Sequence, residues 1–327
     1  MDSATHFVIG LGLAGLAHID PVIANDSTAM VAVLFGTSIG SQIPDSDSVF
    51  RLKNNAAYIR MHRGISHSIP LLVIWTALIT LTIMLFVHGL PFWHIAMWVG
   101  IAVFVHVFMD LFNTYGTQML WPFSKKWISW NIIHIFDPFI FGTHVIAIVI
   151  WAIRWSEPAV IFPFLYILIG LYYIWRTLAH QVIERNLYHK DHTYLNGDKY
   201  YLIPTIQIGN WNIVKRRADA SYQLGELKRG RLNWIDQVDC HQHPAVEQSK
   251  LHPDIQALLY FTSFACAEVR EHDYGFEVRW VDVRYRHRKQ YPFVAVLLMD
   301  HQYQTIGSYI GWLNEEKLEK KLGMNFQ

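Results

Sequence analysis

The sequence is short of charge. Only 16% of its 327 residues are charged and 52% are hydrophobic, whereas soluble domains carry about 25% charged residues. The net charge is +1, so neither a strongly basic nor a strongly acidic surface is expected, and direct nucleic-acid binding is not expected either. Low charge with high apolar content predicts a membrane protein.

Cysteine and signal-peptide features are also scarce. The two cysteines, Cys240 and Cys266, give no disulfide framework, and they suit a cytoplasmic setting. No Lys or Arg precedes the first apolar run, so the N-terminus does not fit a standard cleaved signal peptide. His241 and His243 follow Cys240, but no second cluster with ligand spacing accompanies them, so no zinc finger is expected.

What the chain does have is apolar runs. A helical span needs about 20 residues, with about 17 as the usual lower end. Three segments meet this length, and the first two could form a helical hairpin that only partly spans. We therefore predict an α-helical polytopic membrane domain of about six spans over 1–177. The segments are 6–23, 29–43, 69–89, 94–113, 140–154 and 158–177.

The composition changes after residue 177. Of 27 basic and 26 acidic residues, 19 and 18 respectively lie in 178–327. This half predicts a small cytoplasmic α+β domain with an antiparallel sheet. Predicted strands are 200–208, 276–286, 293–300 and 304–312, with a turn at 287–292. Predicted helices are 178–192, 254–268 and 314–322.

Orientation follows from the positive-inside rule. The 44–68 loop carries four Lys or Arg residues and the 114–139 loop carries Lys125 and Lys126, whereas the loops at the other end have only Arg154 beside them. With six spans, both basic loops, the N-terminus and the C-terminal domain face the cytoplasm. The predicted location is therefore a multi-pass bacterial cell (inner) membrane protein.

Residues 62–68 combine two histidines with an arginine just before an apolar run. Imidazole is a common ligand of zinc-type metals. On a regular helix, rings five residues apart would point about 140° away from each other. His62 and His67 can therefore face one ion only in a loop, or in a loop that runs into a helix. Ser68 followed by Pro70 fits the second case, as an N-cap with proline in the first turn.

Other polar residues of the membrane half fall at the same predicted boundary. His106 and Asp110 are four apart on a predicted helix, so they share a face. Ionisable groups inside a span are costly and normally face a partner or a cavity. A nitrogen and carboxylate ligand set suits a divalent metal, zinc first and manganese next, with room for two ions. The predicted metal ligands are His6, Asp45, Asp47, His62, His67, His106 and Asp110.

Several motifs occur in a recognisable order over residues 1–180. They are Thr5-His6, residues 40–47, residues 62–68, His106 with Asp110, residues 113–116 and Trp121-Pro122-Phe123. Together they resemble the inner-membrane metal-dependent hydrolase family of bacteria, also described as LexA-binding and inner-membrane-associated. The chain most resembles the Bacillus-type member with an added C-terminal soluble domain. Ser66 and Ser46 depart from the family pattern, but neither change removes a candidate ligand.

The resemblance and the residues together favour a membrane-bound metal-dependent hydrolase. Its reaction at the cytoplasmic face would be cleavage of an ester or phosphoester, with a lipid-like substrate drawn from the membrane lipid. Asp45 or Asp47 could ligate, bridge two metals or act as a base. Arg63 could hold a phosphate or carboxylate through its planar guanidinium.

A membrane-anchored regulator is the alternative. In that case the soluble domain would bind a cytoplasmic protein partner, acting as a negative regulator of transcription, and any metal site would be structural. A basic patch is one candidate surface for such a role, although the same arginines could line the wet face of a sheet and be balanced by Glu277 and Asp282. The patch would consist of Arg279, Arg284, Arg286, Arg288 and Lys289. A transporter fits less well, because the ionisable residues gather at one end and not along a midplane pathway.

Overall fold

The structure, a computed structural model, describes residues 1–285 and 293–312. The chain divides into two compact units. The first consists of Met1–Asp47, His62–Arg185 and Pro204–Ile208, and the second of Ser48–Met61, Asn186–Ile203 and Gly209–Gln327. The segment Ser48–Met61, which lies within the predicted membrane domain 1–177, thus groups with the second unit.

Ten α-helices occur in the described part of the chain. They are α1 (Ser3–Leu16), α2 (Pro21–Ala24), α3 (Ser27–Gly40), α4 (Asn55–Met61), α5 (Ile69–Phe86), α6 (Phe92–Leu111), α7 (Pro138–Ala152), α8 (Pro158–Lys190), α9 (Pro244–Ser249) and α10 (Pro253–Phe261). Short 3₁₀ helices occupy Ala17–Ile19, Ile43–Leu52, Ile65–His67 and Val283–Tyr285.

Three helices, α5, α6 and α8, are long and apolar enough to cross a membrane. The apolar helices α1, α3 and α7 have only 14, 14 and 15 residues. At 1.5 Å per residue they extend about 21–23 Å, short of a hydrocarbon core of about 30 Å. Within residues 1–285 and 293–312, the prediction of six spans is therefore not supported, because it counted these three short apolar helices as spans.

Small residues let helices α1, α3 and α6 pack closely against one another. A Cβ added to Gly10 of α1 would lie 2.4 Å from Ser41 Oγ, and one added to Gly36 of α3 would lie 2.6 Å from Val99 Cγ2 of α6. Without a hydrophobic driving force in lipid, such close van der Waals packing is what joins helices. The ends of α3 and α6 are thereby fixed beside the start of α1.

The second unit contains two four-stranded sheets, where the sequence predicted one. Their orders are β1-β2-β3-β4 and β5-β6-β7-β8, and the pairs from β2 to β4 and from β5 to β8 are antiparallel. The strands are β1 (Lys199–Pro204), β2 (Trp211–Arg216), β3 (Tyr222–Lys228), β4 (Arg231–Val238), β5 (Ala265–His272), β6 (Gly275–Asp282), β7 (Phe293–Met299) and β8 (Thr305–Trp312).

The helix predicted over 254–268 is wrong in its second half. Helix α10 ends at Phe261, and β5 begins at Ala265. Thr262 takes an extended conformation, and its hydroxyl accepts a hydrogen bond from Phe264 N at 3.0 Å. Such a local side-chain bond gives the backbone an alternative to the next helical turn, so the apolar run changes from helix to strand.

The sheet β5–β8 has both faces covered. Along β7, Val294, Val296 and Leu298 pack in a cluster with Val214 and Leu224 of the first sheet. The alternate residues Ala295, Leu297 and Met299 pack against residues of α4, α9 and α10. Burial on both faces explains why β7 is an uninterrupted apolar run.

Cys240 and Cys266 form a disulfide with a Cα–Cα distance of 5.1 Å, which corrects the expectation that they would not. They are 26 residues apart in sequence. His241 N donates to Ala267 O at 2.9 Å, so the segment after β4 runs beside β5 and brings the two cysteines together. This proximity is tertiary and leaves no trace in their spacing.

The predicted basic patch is only partly described. Arg286, Arg288 and Lys289 lie outside the described residues, as do the predicted turn at 287–292 and the helix at 314–322. Arg279 pairs with Glu277 at 2.9 Å, and the buried Arg284 pairs with Asp282 at 2.7 Å. Glu277 and Asp282 therefore balance the charges of these two arginines, as the alternative interpretation of the patch expected.

A buried ion pair anchors the first sheet. Lys215 of β2 has a fully buried side chain, and its Nζ donates to Asp191 Oδ2 at 2.7 Å. Asp191 also accepts from Tyr200 and Trp234. Burial acts to raise the pKa of Asp191, but the hydrogen bonds, first of all from Lys215, outweigh it and hold that pKa well below its usual value.

We predict that Asp191→Asn lowers the free energy of unfolding of the second unit by about 3 kcal/mol, because it removes the nearest carboxylate of a buried ammonium and leaves it only Asp198, 3.8 Å away. Hydrogen exchange of amides in β2 and β3 of the full chain measures this change. The control is Lys228→Gln, which breaks the exposed pair with Glu226 and should cost less than about 1 kcal/mol. Equal exchange in wild type and Asp191→Asn would contradict the assignment.

The same pair has a pH signature. Because the pKa of Asp191 is depressed in the folded chain, its stabilisation is fully present above the unfolded pKa of about 3.9 and is lost as the pH falls towards the folded value. The protection of β2 and β3 amides against hydrogen exchange, relative to their intrinsic rates, should therefore decrease below that pH in wild type and decrease less in Asp191→Asn.

Candidate metal centre

The first unit gathers polar side chains at one end of its helices. Asp45 and Asp47 lie on the 3₁₀ helix Ile43–Leu52 that follows α3. His67 ends the 3₁₀ helix Ile65–His67, directly before α5, and His106 and Asp110 lie in the last turns of α6. Three chain segments that are distant in sequence thus meet in one place.

The predicted transition from loop to helix at residues 62–68 is present. Arg63 has φ 59°, a left-handed conformation that turns the chain sharply. Ser68 has the extended conformation of an N-cap, and Pro70 lies in the first turn of α5. The capping bond is missing, however: in the described part of the chain Ser68 Oγ has no hydrogen-bond partner.

Four atoms from four residues converge on one point. The Nε2 atoms of His67 and His106 are 3.3 Å apart. Asp45 Oδ1 lies 3.5 Å from His67 Nε2 and 3.7 Å from His106 Nε2. Asp110 Oδ2 lies 3.5 and 3.8 Å from the same two nitrogens. Among the described residues, neither of these carboxylate oxygens accepts a hydrogen bond.

The neighbours of the two rings fix where their protons are. His106 Nδ1 lies 2.7 Å from Ser41 O, and a carbonyl can only accept, so Nδ1–H donates. Ser66 Oγ donates to Asp47 Oδ2 at 2.7 Å and lies 2.9 Å from His67 Nδ1. Its single hydrogen is thus used, and His67 Nδ1 must be the donor to it. Both rings, when neutral, direct an Nε2 lone pair at the centre.

Four acceptor atoms therefore face one another with no proton between them. A cation at the centre would stabilise this arrangement. Zinc binds nitrogen and oxygen at about 2.0–2.2 Å, so the donors of a regular tetrahedron are about 3.3–3.6 Å apart. The five distances above, 3.3 to 3.8 Å, are close to that range. Asp45, His67, His106 and Asp110 are therefore a group of suitable composition and spacing for a metal ion.

Asp47 and His62 belong to a second, overlapping group. With Asp45 they also place donor atoms within 4.8 Å of one another. Asp47 already accepts three hydrogen bonds, from His62 Nδ1 at 2.8 Å, Arg63 N at 2.9 Å and Ser66 Oγ at 2.7 Å. It therefore holds together the segment that carries both histidines.

His6 lies against the four-atom group without being one of its members. Its ring stacks on His106 with centroids 3.7 Å apart, and its Nε2 lies 3.3 Å from Asp110 Oδ1. The amino group of Met1 contacts the same carboxylate oxygen and lies 2.8 Å from His6 Nε2. Asp110 thus uses one oxygen towards the centre and the other towards His6 and the Met1 amino group.

Arg63 is the buried cation beside the centre. Its side chain is 3% exposed, and NH2 lies 3.3 Å from Asp110 Oδ2. NH1 donates to Asn113 Oδ1, and NH2 donates to Met1 O. Asn113 in turn donates to Asp110 Oδ1 at 2.9 Å, so the guanidinium and the carboxylate are held in register.

The protonation states suit ligands. Burial lowers the pKa of His67 to about 4, so its ring is neutral at pH 7. For Asp45 and Asp47, burial acts to raise the pKa, but the neighbouring imidazoles, His106 and His67 beside Asp45 and His62 beside Asp47, outweigh it and hold both pKa values below their usual range. Neutral imidazole and ionised carboxylate are the forms that bind metals.

All seven predicted ligands lie in or beside this cluster; their role as ligands stays a prediction. Ser41 and Ser66, which orient the rings, were not singled out from the sequence. For Ser66 a signal existed, because a hydroxyl directly before a ligand can reach its Nδ1; the Ser41 carbonyl left none. Asp137 is not part of the cluster: it caps α7 and accepts from Tyr172.

Polar residues at the other end of the bundle are engaged with one another. Asp20 Oδ2 lies 2.7 Å from His94 Nδ1 and accepts from Trp98 Nε1 at 3.1 Å. His18 Nδ1 lies 3.1 Å from Gly15 O. These residues therefore lie apart from the candidate metal centre.

Comparison with known proteins gives the family. Residues 1–183 match the model described as YdjM inner membrane protein, and residues 244–322 match the YfhP C-terminal alpha/beta plait domain. The chain is 40% identical over 326 residues to the uncharacterized protein YfhP of Bacillus subtilis (strain 168), covering 98% of each chain. No solved structure matches. The resemblance drawn from the motifs is thus confirmed, and the chain belongs to the YdjM inner membrane protein family.

Proposed function

We propose that this membrane protein is a metal-dependent hydrolase that cleaves an ester or phosphoester in a lipid-like substrate at the membrane boundary. The observation that carries the proposal is the convergence of His67 Nε2, His106 Nε2, Asp45 Oδ1 and Asp110 Oδ2 at distances of 3.3–3.8 Å. We infer a divalent ion, with zinc favoured by the imidazole content and manganese by the carboxylates.

The cluster has a buried side and a side that is partly exposed. The side chains of His67, His106 and Asp110 are fully buried, whereas Asp45 is 17% and His62 is 21% exposed. Substrate and water therefore approach past Asp45 and His62. A bound divalent ion supplies Lewis acidity and lowers the pKa of a coordinated water to about 7.

The remaining roles fall to side chains of the chain itself. His62, oriented by its hydrogen bond to Asp47, is the proton acceptor on the partly exposed side. Arg63 is buried and already donates to Asn113 and to Met1 O beside Asp110, so in this proposal its guanidinium positions Asp110 and does not contact the substrate. Asp45 is common to both donor groups, so it is the residue that would bridge a second ion.

A regulatory role is the second candidate. It rests on the separate second unit, which shares no residue with the metal centre. Deletion of residues 178–327, which leaves Ser48–Met61 in place, separates the two functions, because a hydrolase of the first unit keeps its metal, whereas a regulator loses its output.

For orientation we propose that the metal centre, the N-terminus and the C-terminal domain face the cytoplasm. This proposal requires α7, although it has only 15 residues, to cross the membrane together with α5, α6 and α8. Lys and Arg concentrate in the 44–68 and 114–139 loops at the site end. The disulfide between Cys240 and Cys266 is the opposing observation, since disulfides are rare in the cytoplasm. We give the basic loops more weight, because they act on topology during insertion, whereas two adjacent cysteines pair only if the compartment oxidises them.

We predict that His67→Ala and His106→Ala each remove most of the bound metal, because each takes away a donor that no neighbour replaces. Elemental mass spectrometry of detergent-purified chain, prepared without chelators, measures metal per chain. His94→Ala is the matched control, since His94 pairs with Asp20 at the other end of the bundle. Unchanged metal content in His67→Ala would contradict the metal centre. About two metal ions per chain in wild type would indicate that the second group, Asp45, Asp47 and His62, also binds an ion.

Ser66→Ala should weaken metal binding by about 10–100-fold, the usual effect of losing an outer partner of a ligating histidine. Ser66→Thr keeps a hydroxyl between His67 Nδ1 and Asp47 Oδ2 and should restore most of the affinity. Competition with a fluorescent zinc chelator measures both variants. If Ser66→Ala bound zinc as tightly as wild type, the hydroxyl would have no part in orienting His67.

The orientation predicts opposite labelling of two positions. In a chain whose native cysteines are replaced by serine, Lys53→Cys should react with a membrane-impermeant maleimide only after the cells are permeabilised. Glu157→Cys, between α7 and α8, should react in intact cells. Labelling of Lys53→Cys from outside would reverse the orientation and make the disulfide the expected state of Cys240 and Cys266.

A further inference from the structure

The chain between α6 and α7 contains a closed hairpin, residues 117–128. Thr117 N donates to Ile128 O at 3.1 Å, and Ile128 N donates to Thr117 O at 2.9 Å. Gly116, just before it, has φ 67°, and a Cβ there would lie 2.2 Å from Ile128 O, so glycine is required for the closure. Inside the loop, Gln118 Nε2 donates to Lys125 O at 2.7 Å. The hairpin therefore has a fixed shape.

Backbone bonds fix the hairpin at the site end of the helices. Gln118 N donates to Arg63 O at 3.0 Å, and Ile69 N donates to Met119 O at 3.0 Å. Trp130, just after the hairpin, donates from N to Leu111 O at 2.8 Å. Ile69 begins α5 and Leu111 ends α6, two of the helices able to span a membrane. The hairpin therefore lies where these spans leave the hydrocarbon core.

The tip of the hairpin, residues 120–126, combines exposed apolar and exposed basic side chains. Phe123 is 90% exposed and Leu120 is 42% exposed. Lys125 and Lys126 are exposed directly beside them. Such apolar exposure is unfavourable in water, but aromatic rings and lysines are both favoured at a membrane interface, where the ring lies at headgroup level and the ammonium reaches the phosphates.

We propose that residues 120–126 form a lipid-binding surface that inserts into the bilayer spanned by the same chain and binds the headgroup of an anionic phospholipid. Phe123 and Leu120 enter the acyl boundary, and Lys125 and Lys126 pair with the headgroup phosphate. The complementary charge selects an anionic lipid over a zwitterionic one. The surface contains none of the proposed metal ligands, so its lipid binding is independent of hydrolysis.

Insertion is tested with an environment-sensitive NBD dye on Phe123→Cys in the full chain, with both native cysteines replaced by serine. The chain is placed in nanodiscs of equal parts phosphatidylcholine and phosphatidylglycerol. Glu271→Cys, an exposed position of β5, is the matched control. The dye at 123 should emit at shorter wavelength than the dye at 271 and be quenched by doxyl-labelled lipids. Equal emission and quenching at both positions would overturn the proposal.

Headgroup selection is tested by native mass spectrometry of phosphatidylglycerol and phosphatidylcholine retained by the chain. Each lysine near an anionic surface contributes about fivefold, so Lys125→Gln/Lys126→Gln should lower the preference for phosphatidylglycerol by about tenfold or more. Lys199→Gln/Arg231→Gln removes two exposed charges of the second unit and should leave it unchanged.

Three results would contradict lipid binding. One is an unaltered preference in Lys125→Gln/Lys126→Gln. Another is an equal loss of the preference for phosphatidylglycerol in Lys199→Gln/Arg231→Gln, which would mean that net charge alone causes the preference. The last is a dye at 123 that is shielded but not quenched by doxyl lipids, which would mean that the tip contacts protein. The His67→Ala chain should retain the wild-type preference, so failure of the metal proposal leaves this test intact.

Discussion

The mutual repulsion of four acceptor atoms is the constraint on which the membrane unit depends. His67 Nε2, His106 Nε2, Asp45 Oδ1 and Asp110 Oδ2 lie within 3.3–3.8 Å of their nearest partners, in surroundings where most of them are fully buried. Buried charge is costly unless it is paired, and Arg63 and the Met1 amino group both contact Asp110, one of the two carboxylates. The proposed divalent ion would turn the remaining repulsion into four favourable contacts, and would account for the convergence of three segments that are distant in sequence.

The surrounding structure holds these atoms in place by hydrogen bonds that point away from the centre. Asp47 accepts from His62, from the Arg63 backbone and from Ser66, so one carboxylate organises the whole 62–67 turn. The Ser41 carbonyl, at the end of α3, does the same for His106. These partners set the tautomer of each ring and so the direction of its lone pair. The close packing at Gly10 and Gly36 is what brings Ser41 within reach.

The spacing of residues in the sequence predicted much of the cluster, whereas features that depend on tertiary contacts could not be predicted from it. The separation of four between His106 and Asp110 is a helical signal that survives in the structure, and the short loops around Asp45 and His62 limited where those residues could lie. The span count is not supported because it included apolar segments too short to cross: the segments predicted at 29–43 and 140–154 have 15 residues each, and helices α1, α3 and α7 have 14, 14 and 15. Strands β3 and β4 were missed although Arg229-Gly230, with φ 50° and 77°, is a two-residue hairpin turn with both residues left-handed. The Cys240–Cys266 contact depends on how β5 pairs and had no local signal.

The position of the cluster at one end of the helices argues for hydrolysis over transport. Hydrolysis consumes water, and only Asp45 and His62 of the donor groups have side chains exposed by as much as 17% and 21%. A transport site needs access from both sides and lies near the midplane. His94 lies 12 residues before His106 on α6, about 18 Å along the axis. There it is tied to Asp20 and does not extend a polar path. A site that is buried on the side of His67, His106 and Asp110 and exposed on the side of Asp45 and His62 can receive both water and the headgroup of a lipid, as the proposed cleavage of an ester would require.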